Sequence, residues 1–310
     1  MVIMQGVKKV KASKARKKSN VIKRSIGERI FDVLNYTFMV FLAFIMLYPF
    51  WEMVVVSISP AVEASRIGLK IIPRGFTLEA YRQLFKSKLI GYGYYNTIMR
   101  TVIGTAMSVV LCFMTAYPLA KRDLPFRGII TTIIVIPMFF TGGLVPDFLL
   151  INDLGLYDTL WALILPMLLS TYNILVMRNF IMSIPESLEE SALVDGANFF
   201  TILFRIIIPL SKPILATVAL WVAVKHWNAW FDAHIYTRSN KRVVLQLILR
   251  RVLIDHNNAE VTDTLQGDEG VITKTVEAAT VIVAIGPIIA VYPFLQKYFV
   301  KGVMVGSVKG

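Results

Sequence analysis

Cysteine is close to missing from this chain: Cys112 is the single one among 310 residues, and it falls inside an apolar run. A disulfide within the chain is excluded, and a buried, inert thiol is the expectation. Histidine is almost as scarce. His226, His234 and His256 show no metal-ligand spacing, so no metal site is expected. The phosphate loop G-x-x-x-x-G-K-[ST] does not occur, so no site of that kind for Mg-ATP is expected in this chain. No nucleophile–base set stands out, which predicts a chain that is not an enzyme and holds no cofactor itself. Charge is thin too, at 17% of residues.

What replaces it is hydrocarbon. The chain is 56% hydrophobic with a mean hydropathy of +0.63. Several runs approach the roughly 20 apolar residues that cross about 30 Å of bilayer. The expected fold class is an all-α polytopic membrane protein, because a barrel would show alternating segments of ~10 residues instead. Six spans are predicted at about 33–58, 95–119, 129–150, 159–178, 213–233 and 277–299. Pro118, Pro137, Pro166 and Pro287 fall inside them. Neighbouring helices can satisfy the freed carbonyls, so these prolines mark kinks.

The net charge of +13 is uneven. Ten Lys/Arg against Glu28 give residues 1–30 a charge of +9, leaving +4 for the other 280. A basic tail directly before a span is a cytosolic topology signal that can touch anionic lipid; nucleic acid is not expected as a partner. Nor does the segment fit a cleaved signal peptide, since its basic region and the following apolar run are both too long. The predicted organisation is a cytoplasmic tail over 1–30, a six-span domain over 31–300 and a cytoplasmic glycine-rich tail over 301–310. External loops are expected at 60–93 and 234–274. Lys121, Arg122 and Arg127 between spans two and three agree with this orientation, which leaves residues 179–212 in the cytoplasm.

That loop carries EESALVDGANFFTILFRIIIP, Glu189 to Pro209. Ser183-Ile-Pro-Glu186 fits a capping box, and Glu186, Glu189 and Glu190 suit the positive end of a helix dipole. Gly196 can supply a left-handed stop, giving a helix over about 184–195. A second short helix is predicted from Phe199 to Ile208, ended by Pro209. Two short, largely apolar helices outside a bilayer need something to bury against. One reading is a peg for a cytosolic protein groove; the other is an amphipathic helix lying in the lipid interface. Interfacial helices are usually cationic, whereas this one presents three Glu and Asp195, which favours the protein partner.

The run Glu190-Ser-Ala192-x-x-Asp195-Gly196, nine residues, then Ile206-x-Ile208-Pro209, resembles the signature loop of permease subunits of binding-protein-dependent ATP-binding-cassette importers, E-A-A-x-x-x-G, nine residues, I-x-L-P. Ser191 and Ile208 are mild departures. Gly302-x-x-x-Gly306-x-Val308-Lys309-Gly310 and the stretch IPLSKPILAT are similar to the second permease subunit of carbohydrate importers such as that for maltose. Phe140-Thr-Gly-Gly143 and Trp227-Asn-x-Trp230 resemble the branch that takes up oligosaccharides released from polysaccharides. The resemblance implies a type I importer fold with a coupling helix, and import of an oligosaccharide. Its implied partners are a second permease subunit, two cytosolic ATPase subunits and an extracytoplasmic solute-binding protein. It also implies that Glu186, Glu189, Glu190, Ala192, Asp195, Gly196, Ile206 and Pro209 serve ATPase coupling. Gly302, Gly306, Lys309 and Gly310 would reach between the ATPase subunits; a frayed tail is the competing account.

Near the outer ends of the spans, Trp227 and Trp230 lie three apart, hence on one helix face, with Asn228 adjacent. They can line a sugar path, or belong to an interfacial aromatic belt. Glu52, beside Trp51, is a further path candidate. Two other functions compete: a permease of the same kind for a non-sugar solute, and a secondary carrier working alone. The second should show inverted repeats and mid-membrane ionisable residues, and neither stands out.

Overall fold

The computed structural model describes residues 25–254 and 274–307, with side chains up to residue 291. Residues 1–24 of the basic tail, 255–273 of the second external loop, and Lys309 and Gly310 lie outside the described residues. Helix α1 spans Ile26–Ser57 and so begins inside the expected tail. Ser25 and Glu28 form a reciprocal capping box there: Glu28 N donates to Ser25 Oγ at 3.2 Å, and Ser25 N to Glu28 Oε2 at 2.8 Å.

The chain divides into two compact units, residues up to Phe50 and residues from Trp51 onward. In the first, Phe31, Phe38, Phe41 and Phe44 are each more than half exposed. In the second, α2 (Ala61–Ser65) and α3 (Glu79–Lys86) lead into α4 (Lys88–Ala120), which is 33 residues long. There follow α5 (Arg127–Phe139), α6 (Leu144–Asp153), α7 (Leu160–Ile164), α8 (Thr171–Ile181), α9 (Ser187–Val194) and α10 (Phe199–Leu210). The last four described helices are α11 (Lys212–Asn228), α12 (Phe231–Tyr236), α13 (Leu245–Ile254) and α14 (Lys274–Ser307).

Three described helices are long and apolar enough to cross a membrane, and six crossings result if each bent pair counts as one. The breaks have local causes. The third expected span turns by 110° between α5 and α6, where Gly143 takes φ +88°. Only glycine adopts that value cheaply, so the apolar run does not remain one helix. The fourth bends by 48° beyond Pro166 and its 3-10 turn over Leu165–Met167. The fifth ends at Asn228, short of the expected 233, where Ala229 is extended. The sixth runs to Ser307, so Gly302 and Gly306 continue a helix where a tail was expected.

α4 is the central strut. Its first half joins a core of Leu84, Ile90, Leu163, Val244, Leu247 and Ile248, and its second half one of Phe113, Ala116, Met177, Ile207 and Val218. Between them α4 and α11 cross so closely that a Cβ on Gly104 would sit 2.5 Å from His226 Nε2. His226 is buried, and neither of its ring nitrogens has a hydrogen-bond partner among the described residues. We expect Gly104→Ala to destabilise the protein by about 1–3 kcal/mol through overpacking. The midpoint of thermal unfolding in detergent should fall, and adding His226→Ala should recover part of it.

Candidate coupling site

The signature loop builds from the end of α8. The chain turns tightly through Met182–Ile184, and Ser183 Oγ donates to Phe180 O at 2.6 Å. The expected capping box with Glu186 therefore does not form, because Ser183 sits in a turn closing α8 and not in the extended conformation an N-cap needs. Glu186 opens α9 instead, its carbonyl accepting from Glu189 N at 3.0 Å and Glu190 N at 3.1 Å, without a side-chain cap. The helix is shorter than expected, Ser187–Val194.

Its end is built as the sequence suggested. Gly196 takes φ +80°, Gly196 N donates to Leu193 O at 3.0 Å, and Ala197 N to Ala192 O at 2.9 Å. This crossed pair is a Schellman stop, accompanied by packing of the partly buried Ala192 and Ala197 against the core of Phe113, Met177 and Ile207. Asn198 Oδ1 then caps α10 by accepting from Thr201 N at 2.8 Å. α10 does not stop before Pro209. It widens into a π-turn over Leu203–Ile207, runs on to Leu210, and meets α11 at 72°. Pro209 lacks an N–H and its ring would crowd the carbonyl four residues back, which the wider turn relieves.

The acidic residues fall into two sets. Glu189 Oε2 accepts from Lys121 Nζ and, at 3.5 Å, from Tyr117 Oη, while Lys121 lies 4.8 Å over the Tyr117 ring. Glu186 Oε1 is 3.3 Å from Arg122 Nε. These two carboxylates latch α9 to the carboxy-terminal end of α4. Beside the latch, Arg127 Nε and Arg178 Nε both donate to Leu119 O, at 3.0 and 3.1 Å. Glu190, Asp195 and Gly196 stay exposed, as does Pro209, whereas Ala192 and Ile206 turn inward. Val194, Phe199, Phe200 and Phe204 are 88%, 70%, 74% and 62% exposed, an apolar surface beside the free carboxylates. Tyr117 was not singled out from the sequence, and Lys121 and Arg122 were weighed only as topology charges. A signal existed, since two cations in a short turn face two acids one helical turn apart.

The outer candidates are placed differently. Trp227 and Trp230 do not share a helix face, because α11 ends between them. Trp227 is buried and donates to Ala284 O at 3.2 Å; the Trp230 ring lies 3.7 Å under the Arg250 guanidinium. Asn228 and Trp227 border a mainly apolar cavity of about 460 Å³ with Thr101 and Gln246. Glu52 is half-buried. Sequence reading missed Arg100, which is wholly buried in α4 and pairs with Asp232. Its Nη1 donates to Ala229 O at 3.2 Å and its Nη2 to Leu163 O at 3.2 Å. An arginine in the opening turns of a predicted span was the available sign.

Residues 108–305, which include the whole signature loop, match the family described as binding-protein-dependent transport system inner membrane component. The chain belongs to this family. As a binding-protein-dependent permease it is a membrane-spanning transport subunit and not an enzyme. It is 38% identical to the polygalacturonan/rhamnogalacturonan transport system permease protein YtcP of Bacillus subtilis, over 91% of this chain and 99% of that one. Identity to the arabinooligosaccharides transport system permease protein AraQ of Halalkalibacterium halodurans is 26%, over 87% and 94%. Among solved structures it resembles, at TM-score 0.82 and 34% identity, a chain of a bacterial ABC transporter involved in the import of the acidic polysaccharide alginate, covering 89% of this chain and 99% of that one.

Proposed function

We propose that this permease is one of two membrane subunits of an ATP-driven oligosaccharide importer, and that residues 179–212 face the cytoplasm, where an ATPase subunit grips α9. The observation that carries the reading is the division of the acids in α9. Glu186 and Glu189 fasten the helix to α4, while Glu190, Asp195 and Gly196 are left outward beside exposed Val194, Phe199 and Phe200. A stiff helix tied to the strut of the bundle, with an apolar and acidic outer face, suits a protein groove better than anionic lipid. The end of α14, where Gly302 and Gly306 lie about one turn apart, is the second contact with the ATPase pair. The relatives' names support an oligosaccharide as cargo, and the family's description supports a binding protein as its donor, which we place outside the cytoplasm.

The test is Glu190→Arg and Gly196→Val in the reconstituted complex. Both variants should reach the membrane in normal amounts. Substrate-stimulated ATPase should fall roughly tenfold, the size of a typical coupling free energy between sites. Unchanged turnover in both overturns the assignment.

A further inference from the structure

α4 carries the latch at its carboxy-terminal end. At 1.5 Å per residue its other end is about 50 Å away, more than the roughly 30 Å of hydrocarbon in a bilayer. There Lys88, Tyr92 and Tyr95, with Asp158, Lys241 and Arg242, line an open groove of about 800 Å³. Both walls are fixed. Asn96 Nδ2 donates to Lys241 O and Val243 O, each at 2.8 Å, and Leu245 N donates to Thr97 Oγ1 at 2.9 Å. Asp158 Oδ1 accepts from Arg238 N and Ser239 N at 3.0 Å, which commits that carboxylate to holding the turn. Among the described residues no carboxylate comes within salt-bridge distance of Lys88, Lys241 or Arg242. Three exposed cations thus stand against one acid, which leaves the groove with a positive excess.

The two tyrosines decide what kind of anion fits. Tyr92 and Tyr95 are three residues apart, so they share a face of α4, and they are 37% and 59% exposed. Exposed rings of this kind offer a flat apolar surface ending in a hydroxyl, which matches the C–H face and rim hydroxyls of a pyranose. An inorganic anion gains nothing from the rings, and a neutral sugar could take hydrogen bonds from the cations but would leave their charge uncompensated. A carboxylate beside a pyranose ring uses both, with Arg242 able to take it bidentately.

We propose that this groove is a subsite for uronic-acid residues, so that the cargo is an acidic oligosaccharide whose carboxylates meet Lys88, Lys241 and Arg242 while its rings lie on Tyr92 and Tyr95. The assignment rests on the importer reading above and narrows its cargo.

The experiment compares uptake of trigalacturonate with that of its carboxyl-reduced, neutral counterpart. It uses the complete importer in phosphatidylcholine vesicles, which carry no anionic lipid. Lys88→Gln, Lys241→Gln and Arg242→Gln combined should lower the acidic-to-neutral uptake ratio about tenfold or more, since each lost charge-assisted contact is a substantial fraction of a decade. Arg242→Gln alone, at an exposed side chain, should shift the ratio the same way by a smaller factor. An unchanged ratio, including one where both uptakes fall together as for a docking surface of the binding protein, overturns the subsite. If the unaltered complex accumulates neither sugar while still hydrolysing ATP, the oligosaccharide reading fails first and takes the subsite with it. An unaltered complex that imports only the neutral sugar overturns the subsite alone.

Discussion

Asp232→Ala should cost about 3–5 kcal/mol of stability, because it strands a buried guanidinium. Arg100 is 0% exposed, and among the described residues Asp232 is the one carboxylate that it meets, 3.3 Å from Nη1 and closer still to Nη2. The carbonyls of Ala229 and Leu163 take part of the hydrogen-bonding load but none of the charge. Removing the acid leaves a cation where neither water nor lipid can solvate it. The midpoint of thermal unfolding of the purified protein in detergent should fall far more than for Asp153→Ala, an acid in no ion pair among the described residues. The paired replacement Arg100→Met with Asp232→Leu should recover most of the loss, as replacing both partners of a buried pair by apolar groups commonly does. A loss under about 1 kcal/mol in the single variant would place the pair among weak surface contacts and would falsify this account.

Reversing one charge of the latch should uncouple transport without unfolding the bundle. Glu189→Lys faces Lys121, and the repulsion should lift α9 away from α4. We expect substrate-stimulated ATPase to fall roughly tenfold. The partners are 18% and 31% exposed, so the pair is not a fully buried one and the change in stability should stay modest. Lys121→Glu alone should show the same defect. The double exchange, Lys121→Glu with Glu189→Lys, should restore much of the activity, giving a coupling energy from the double-mutant cycle. Additive losses in the double variant would mean that the two side chains act separately.

The spans and the signature loop were legible because their cause is local: long apolar runs, and a glycine where a helix must stop. Gly196 could be assigned from sequence since a left-handed φ leaves few other choices. Ser183 could not, because a capping box is a pattern that becomes real only when the first residue is extended, and the closing turn of α8 decides otherwise. The same pattern, unremarked at Ser25 and Glu28, does form. Trp227 and Trp230 were assigned to one face by assuming that a helix continues through Ala229. Arg100 and His226 lie in places that only the crossing of α4 with its neighbours creates. Lys121 and Arg122 were read for the membrane and not for each other's acids, since pairing across 60 or more residues leaves no periodic trace.

The contact at Gly104 has a mechanical meaning. It lies about midway along α4, where the α11 imidazole is the nearest neighbour, so it can serve as a fulcrum for a beam with the groove at one tip and the latch at the other. A swing of about 5° about that point carries each tip roughly 2 Å, given some 25 Å of helix on either side. In a transport cycle that rocks α4, the position of this close approach along the beam would set the ratio of the two strokes, and moving it by a turn would lengthen one at the expense of the other.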